Sequence, residues 1–463
     1  MKVLSVTSEC APLVKTGGLA DVAGALPAAL APHGVEMRTL LPGYPTVMAA
    51  LGDAKEVMGE RGLFGGDARV LRAKAAGLDL LVLDAPHLYD RPGNIYAGPD
   101  GDWVDNPERF AALSWVAARI GRTGAGRWTP DILHGHDWQA GFMPVWADAP
   151  SVMTIHNVAF QGLAPADRLE ALRLPPDLMT RDGFEYWGKI SSLKAGLTQA
   201  DRITTVSPTY AGELMTPEFG MGMEGVLRGR ADVMSGILNG IDLEAWTPPF
   251  KTAKGKARHT AALRAEMGLP ATDGPLCVVV SRLTEQKGLD VLADALPRLV
   301  DEGGQLVMLG SGDAALERRW TEWAAHPNVA VRIGYDEALA RRMMAGGDAI
   351  LVPSRFEPCG LTQLYGLRFG TIPLVAMTGG LVDTVIPATP AGLLAEAATG
   401  VQFMPVTADA LSRAFDQLLR LWRDPETWGA MRRRAMRHPV GWDVSARAYA
   451  DLYAGLLEDR ATA

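Results

Sequence analysis

Cysteine is scarce. The 463 residues hold three, Cys10, Cys277 and Cys359, far apart and without metal-ligand spacing. That excludes a disulfide framework and a thiolate zinc site, and it suits a reducing compartment. Long apolar runs are also missing: none approaches the ~18 residues expected of a membrane-spanning helix. The apolar stretch after Lys2 is broken by Ser5, Thr7, Ser8 and Glu9, too soon for the core of a secretory leader. No repeat of fixed period is visible. Positive charge is not in excess. The formal net charge of −8 argues against a general nucleic-acid binder, although it leaves room for a local basic pocket. The expectation is a cytoplasmic enzyme with neither nucleic acid nor membrane as partner.

What is present points to a globular α/β protein. Hydrophobic residues make up 48% and charged residues 21%, and 51 glycines with 31 prolines imply many loops rather than low complexity. A chain of this length exceeds what one core usually serves, so two domains are expected. Apolar runs and helical periodicities alternate in two blocks. In the first, Lys2–Ser8, Val35–Leu41, Leu78–Leu83, Asp131–Leu133, Ser151–Ile155 and Arg202–Val206 read as strands. Leu19–Leu30 and Lys189–Ala200 read as helices. Trp246–Lys256, with two prolines, several charges and no periodicity, is the expected linker.

Beyond it the rhythm restarts with strands at Leu276–Ser281, Gln305–Leu309, Val329–Ile333, Ala349–Val352, Ile372–Ala376 and Val401–Pro405. Helices are expected at Leu289–Val300, Glu337–Ala345 and from Leu364 to Phe369. The domains are thus expected at 1–245 and 257–440, each doubly wound. Trp442–Leu457 is an amphipathic helix with Val444, Tyr449, Leu452, Tyr453 and Leu456 on its apolar side, expected to cross back and brace the first domain.

Five loops at the C-terminal ends of expected strands carry polar or glycine-rich groups. In doubly wound sheets that is where ligands bind. Lys15-Thr16-Gly17-Gly18 precedes a helix, a plan suited to phosphate because glycines admit an anion to the backbone and the helix N-terminus favours negative charge. It is not a P-loop, since its lysine precedes the glycines. His136-Asp137 and His156-Asn157 end two further strands. His134 and His136 invite a metal hypothesis, but no third ligand stands at a recognisable spacing. Asp100-Gly101-Asp102 has the form of a metal-diphosphate motif. It follows no strand and reads better as turn chemistry.

Arg282 and Lys287 flank a strand-to-helix turn and suit a diphosphate clamp. Tyr335 suits stacking on a flat base. The loop Pro353–Gln363 carries Glu357, which suits two vicinal hydroxyls, and Cys359, which has no base near it in the pattern. Gly379-Gly380 adds a further turn of backbone donors. The two loop faces are expected to meet in an interdomain cleft.

These stretches resemble the bacterial glycogen synthases and plant starch synthases. The match runs in order through KTGGLAD (15–21), HDW (136–138), IHN (155–157), KAG (194–196), VSP (206–208), Phe219–Gly225, ILNGID (237–242), SRLTEQKGLD (281–290), PSRFEPCGLTQLYGL (353–367) and TGGL (378–381). The resemblance implies a GT-B glycosyltransferase that moves glucose from ADP-glucose to the 4-hydroxyl at the non-reducing end of an α-1,4-glucan, with retention of configuration.

By position, it implies that Lys15, Gly17 and Gly18 meet the donor's phosphates and sugar, and that Asp21 and His156 lie near the transferred glucose, with Asp137 and Asn157 beside them. It implies that Arg282 and Lys287 stabilise the leaving diphosphate and that Tyr335 stacks on adenine. Glu357 then sits on the sugar side rather than at the ribose, and Cys359, Gly360, Leu361 and Thr362 line the same pocket with Gly379 and Gly380. ADP-glucose is a co-substrate, and neither cofactor nor metal is implied. Two departures stand out. Gln139 replaces a second histidine after HDW, so acceptor contacts are expected to differ there. Tyr365 stands eight residues after Glu357, where the wider superfamily often has a second glutamate, so a two-carboxylate mechanism is not available. The rival readings are a related enzyme with another acceptor and an inactive glucan-binding scaffold.

Overall fold

The computed structural model describes residues 1–99 and 101–462. It divides into two compact units, one of Met1–Asn239 with Trp442–Ala463, the other of Gly240–Gly441. Both are Rossmann-like parallel sheets covered by helices.

The first unit holds a nine-stranded sheet. Its strands lie in the order Met234–Gly236, Arg202–Thr205, Ser151–Ile155, Ile132–His136, Lys2–Val6, Glu36–Pro42, Leu78–Asp84, Gly66–Ala75, Lys55–Leu63. The first seven run parallel, and the last two fold back as an antiparallel extension. From Lys2–Val6 the chain winds first towards Glu36–Pro42 and later returns to Ile132–His136 on the other side. The switch point therefore lies between Lys2–Val6 and Ile132–His136, and the loops leaving those strands begin at Thr7 and Asp137.

The second unit holds a six-stranded parallel sheet in the order Val329–Ile333, Gln305–Gly310, Leu276–Val280, Ala349–Val352, Ile372–Ala376, Val401–Phe403. Its central strands read as unbroken apolar runs because helices cover both faces. Here the switch point lies between Leu276–Val280 and Ala349–Val352. The loops leaving those two strands are Ser281–Gly288 and Pro353–Leu361. Two close approaches hold them. A Cβ on Gly288, whose φ is +63°, would come within 2.0 Å of the Pro353 carbonyl oxygen. The Arg355 amide donates to the Gln286 carbonyl at 2.8 Å.

Several elements depart from the sequence reading. Trp246–Lys256 is no free linker: it is folded into the second unit. Trp246 stacks on Tyr365 at 3.6 Å, Phe250 is buried, and the Lys256 amine donates to the carbonyls of Met344 (2.8 Å) and Phe369 (3.1 Å) and to Thr371 Oγ1 (2.7 Å). Three acceptors satisfy the lysine that ends this charged stretch, so it is held inside the unit. Burial also holds that amine's pKa well below the usual lysine range. Lys189–Ser191 is a strand, and the helix expected from Lys189 starts at Ser192, capped by Ser191 Oγ accepting from Lys194 N. The strand before the HDW motif includes both His134 and His136. Of the metal-like motif, Asp100 lies outside the described residues.

The last helix, Asp443–Thr462, belongs to the first unit. Trp442, Ala446, Tyr449, Ala450, Tyr453 and Leu456 pack with Val22, Leu26 and Leu30 of helix Gly18–Leu30 and with Val3, Ile132 and Val152 of the sheet. Val444 is 64% exposed, so the buried stripe turns away from it and runs through the two alanines instead.

Candidate functional site

At the switch point of the second unit lies a cavity of about 170 Å³. Arg282, Lys287, Ser354, Glu357, Gly360, Leu361 and Thr362 line it, so residues 67 or more positions apart in sequence share one wall. Lys287 Nζ lies 2.5 Å from Glu357 Oε2, and Ser354 Oγ donates to the same oxygen at 2.9 Å. The guanidinium of Arg282 makes no ion pair among the described residues. Two cations against one carboxylate leave the cavity with a positive balance, and helix Thr362–Phe369 starts at its edge. Both features favour an anion. Arg355 braces the loop from behind with a two-bonded fork on Asp290 at 2.7 and 2.6 Å, and that fork holds the Asp290 carboxyl below the usual range.

Cys359 and the Gly379-Gly380 turn do not line this cavity; they back it. Cys359 is buried. The Gly380 amide donates to the carbonyls of Glu357 (3.2 Å) and Pro358 (3.1 Å), so it is spent inside the protein rather than offered to a ligand. A Cβ on Gly379, at φ +44°, would come within 2.0 Å of the Glu357 carbonyl oxygen. The turn sets where Glu357 sits. Tyr335 is 81% exposed and lies outside the cavity wall. Tyr365, at the position of the missing second glutamate, is occupied by its stack on Trp246.

The first unit assembles its own cluster at the switch point. Glu9, buried at the end of the first strand, accepts from Thr16 N (2.5 Å), Thr16 Oγ1 (2.6 Å) and Gly17 N (3.1 Å), and Tyr96 OH donates to it at 2.6 Å. This carboxylate shapes the Lys15–Gly18 turn and uses the Gly17 amide, while Lys15 Nζ reaches Asp21 Oδ1 at 2.7 Å. Sequence reasoning missed both Glu9 and Tyr96. The signal for Glu9 was a lone carboxylate directly beyond an apolar strand. Tyr96 carried none.

Opposite that strand, Asp137 adopts a left-handed backbone, φ +55°, and its Oδ1 accepts from the amides of His156 (2.7 Å) and Asn157 (3.3 Å). Burial pushes its carboxyl up to about 7, against the opposing pull of those two amides. Asp137 thus joins the two strand ends that carry HDW and IHN. Behind it runs a chain of buried rings. Ser5 Oγ lies 3.2 Å from His136 Nε2, and His136 Nδ1 lies 3.0 Å from His156 Nε2. Burial lowers His136 to about 3 and holds His134 and His156 well below the usual histidine range, so all three are neutral at neutral pH. His134 bridges Tyr453 OH (2.7 Å) and Thr154 Oγ1 (2.6 Å). Among the described residues no cluster has the makings of a metal site. Gln139 is buried.

Comparison with known proteins shows the family of the chain. The profile of the starch synthase catalytic domain matches residues 2–229, and that of the glycosyl transferases group 1 matches residues 265–435. The glycogen synthase of Paracoccus denitrificans (strain Pd 1222) is 65% identical over 460 residues, covering 98% of each chain. That of Jannaschia sp. (strain CCS1) is 60% identical over 466 residues, again with 98% of each chain covered. Among solved structures, the catalytic domain of starch synthase IV from Arabidopsis thaliana, bound to ADP and acarbose, superposes with a TM-score of 0.88 at 29% identity and 99% coverage of both chains. A sucrose-phosphate synthase from Thermosynechococcus elongatus, at 19% identity and a TM-score of 0.62, shares the fold alone. The chain belongs to the glycogen synthase and starch synthase family of GT-B glycosyltransferases.

Proposed function

We propose that this protein is a glycogen-synthesising hexosyltransferase: it transfers glucose from ADP-glucose to the 4-hydroxyl at the non-reducing end of an α-1,4-glucan and releases ADP, retaining the α-configuration. One observation carries the reading. In a chain related over 98% of its length to a glycogen synthase, SRLTEQKGLD and PSRFEPCGLTQ fold into a single positively balanced cavity.

The cavity's chemistry supports a role on the donor side. The bond between glucose C1 and the β-phosphate oxygen breaks, and a bond from C1 to the acceptor's O4 forms on the same face. The acceptor's proton passes to the departing phosphate oxygen. Negative charge grows on that oxygen, and Arg282 and Lys287 are the groups suited to meet it. Glu357, held by Lys287 and Ser354, suits the hydroxyls of the transferred sugar. Asp21, His156, Asp137, Asn157 and the Lys15–Gly18 turn are the first unit's contribution to donor and acceptor, and Tyr335 is assigned to the adenine. No cofactor or metal enters this scheme. A cytoplasmic reaction is part of this proposal. No helix of the described residues is long and apolar enough to cross a membrane.

Incubation with ADP-glucose or UDP-glucose and glycogen, following nucleotide release, is the test. Release of ADP with glucan extension, undiminished by EDTA, is expected. Preference for UDP-glucose would replace the donor, loss of activity in EDTA would restore a metal, and glycogen binding without transfer would favour an inactive scaffold.

A paired substitution separates the two notable residues of the Pro353–Gln363 loop. Cys359→Ser is expected to keep transfer within about tenfold of wild type, because the thiol stands behind the cavity wall and a hydroxyl is a small change of volume. Glu357→Ala, which removes the partner of Lys287, is expected to lose about 10²-fold or more in kcat. Comparable losses in both would make the thiol a participant.

A further inference from the structure

An exposed tryptophan stands where the fold has no use for one. Strands Glu185–Tyr186 and Lys189–Ser191 form a hairpin whose two-residue turn is Trp187-Gly188. Both turn residues are left-handed, with φ of +48° and +77°. Such turns favour Asn-Gly, because a bulky side chain at positive φ is disfavoured. Trp187 gains no burial in return, since it is 84% exposed. An indole kept both strained and in water points to something outside the chain that it contacts.

Its surroundings are built. Lys194 Nζ donates to the carbonyls of Arg181 and Glu185, both at 2.6 Å, and fixes the base of the hairpin. The Gly188 amide donates to Glu185 Oε1 at 2.7 Å and fixes the tip. Tyr186 stands edge-on to Trp187 at 6.4 Å and donates to the Met221 carbonyl at 2.7 Å. Gln161 Nε2 donates to the same carbonyl at 3.0 Å. Met221 is likewise left-handed, at φ +48°, and 38% exposed, and Phe160, next to Gln161, is 54% exposed. Three apolar side chains thus flank one hydrogen-bonded node. The patch is continuous with the site already described: the Phe160 amide donates to the Asn157 carbonyl at 3.3 Å, in the turn that follows His156.

We infer that this corner, with Trp187 at its tip, is a platform that holds an α-1,4-glucan chain beside the acceptor side of the site. The inference rests on the proposed glucan specificity. Glucose rings present apolar C–H faces and a rim of hydroxyls. The face of an exposed, pre-positioned indole complements the first.

The test is native electrophoresis of the full chain through gels containing glycogen, with no nucleotide sugar present, followed by acceptor kinetics. Trp187→Asn relieves the backbone, so its melting temperature is expected to equal or exceed that of wild type. Its glycogen affinity is expected to fall about 3- to 10-fold, the range of one lost aromatic contact. Its kcat/KM for glycogen is expected to fall more than that for maltotriose, a far shorter chain, and Trp187→Tyr is expected to recover most of the difference. Equal retardation of wild type and Trp187→Asn overturns the platform, as does an equal loss with both acceptors. Retardation that depends on Trp187 in a protein that transfers no glucose would instead leave the platform standing and reject the proposed reaction.

Discussion

Lys287→Ala is expected to lower kcat for glucosyl transfer by about 10²–10³-fold, the usual effect of removing one donor aimed at developing charge. The reason lies in what the lysine holds in the resting protein. Its Nζ sits on Glu357 Oε2 at 2.5 Å, at the wall of the cavity, and both side chains are largely shielded from solvent. The substitution removes a cation and also leaves the carboxylate with Ser354 as its remaining partner at that oxygen. The cavity's balance moves from positive towards neutral, and a diphosphate entering it meets a less favourable field. Arg282 remains to bind the ground state, so the KM for ADP-glucose is expected to rise much less than kcat falls. Initial-rate kinetics with varied ADP-glucose distinguishes the cases. A raised KM with unchanged kcat would reject a role for Lys287 at the leaving group and leave it as a binding residue only.

Removal of residues 442–462 is expected to abolish independent folding of the first unit. Trp442, Tyr449, Tyr453 and Leu456 are buried against helix Gly18–Leu30 and the sheet. Burying one large apolar side chain stabilises by about 1.5–3 kcal/mol, so four contribute roughly 6–12 kcal/mol. That is comparable with the whole stability of a typical protein, about 5–15 kcal/mol. Polar partners would be stranded as well: His134 Nδ1 loses Tyr453 OH, and Asp201 loses Arg460 at 2.7 Å. Limited proteolysis reads the outcome directly. The truncated chain is expected to be cut within residues 1–239 at protease levels the full chain resists, and unchanged resistance would sink the idea. Tyr453→Phe is the milder companion: it keeps the packing and removes one hydroxyl, at a cost of about 1–3 kcal/mol for the buried imidazole left unpaired.

The two predictions differ in how far they were visible beforehand. The helix was legible as an amphipathic period, but which residues it buries was not. Val444 sits on the apolar side of the expected pattern yet faces solvent, and Ala446 and Ala450 are inside. A period of 3.6 residues marks a stripe, and only the partner surface decides where on the helix that stripe is centred. Lys287 and Glu357 were each legible as polar residues at strand ends, and resemblance to a family tied them together. Their contact across 70 positions follows from strand order, which local pattern does not encode.

By itself the sequence determined the alternation of strand and helix, the two α/β domains, and the motifs that carry family membership. These depend on residue type and short-range period, both of which are written along the chain. The tertiary structure decided the rest. It set Leu276–Val280 beside Ala349–Val352 and Lys2–Val6 beside Ile132–His136, so that particular loops share a switch point. It moved Cys359 and Gly380 behind the cavity wall, folded Trp246–Lys256 into the second unit, and brought Tyr96 onto Glu9. It also left Trp187 outside every core. In each case the deciding quantity is a contact between residues far apart in sequence. Such contacts form only when buried apolar area offsets the cost of ordering the chain between them, and that balance belongs to the whole fold.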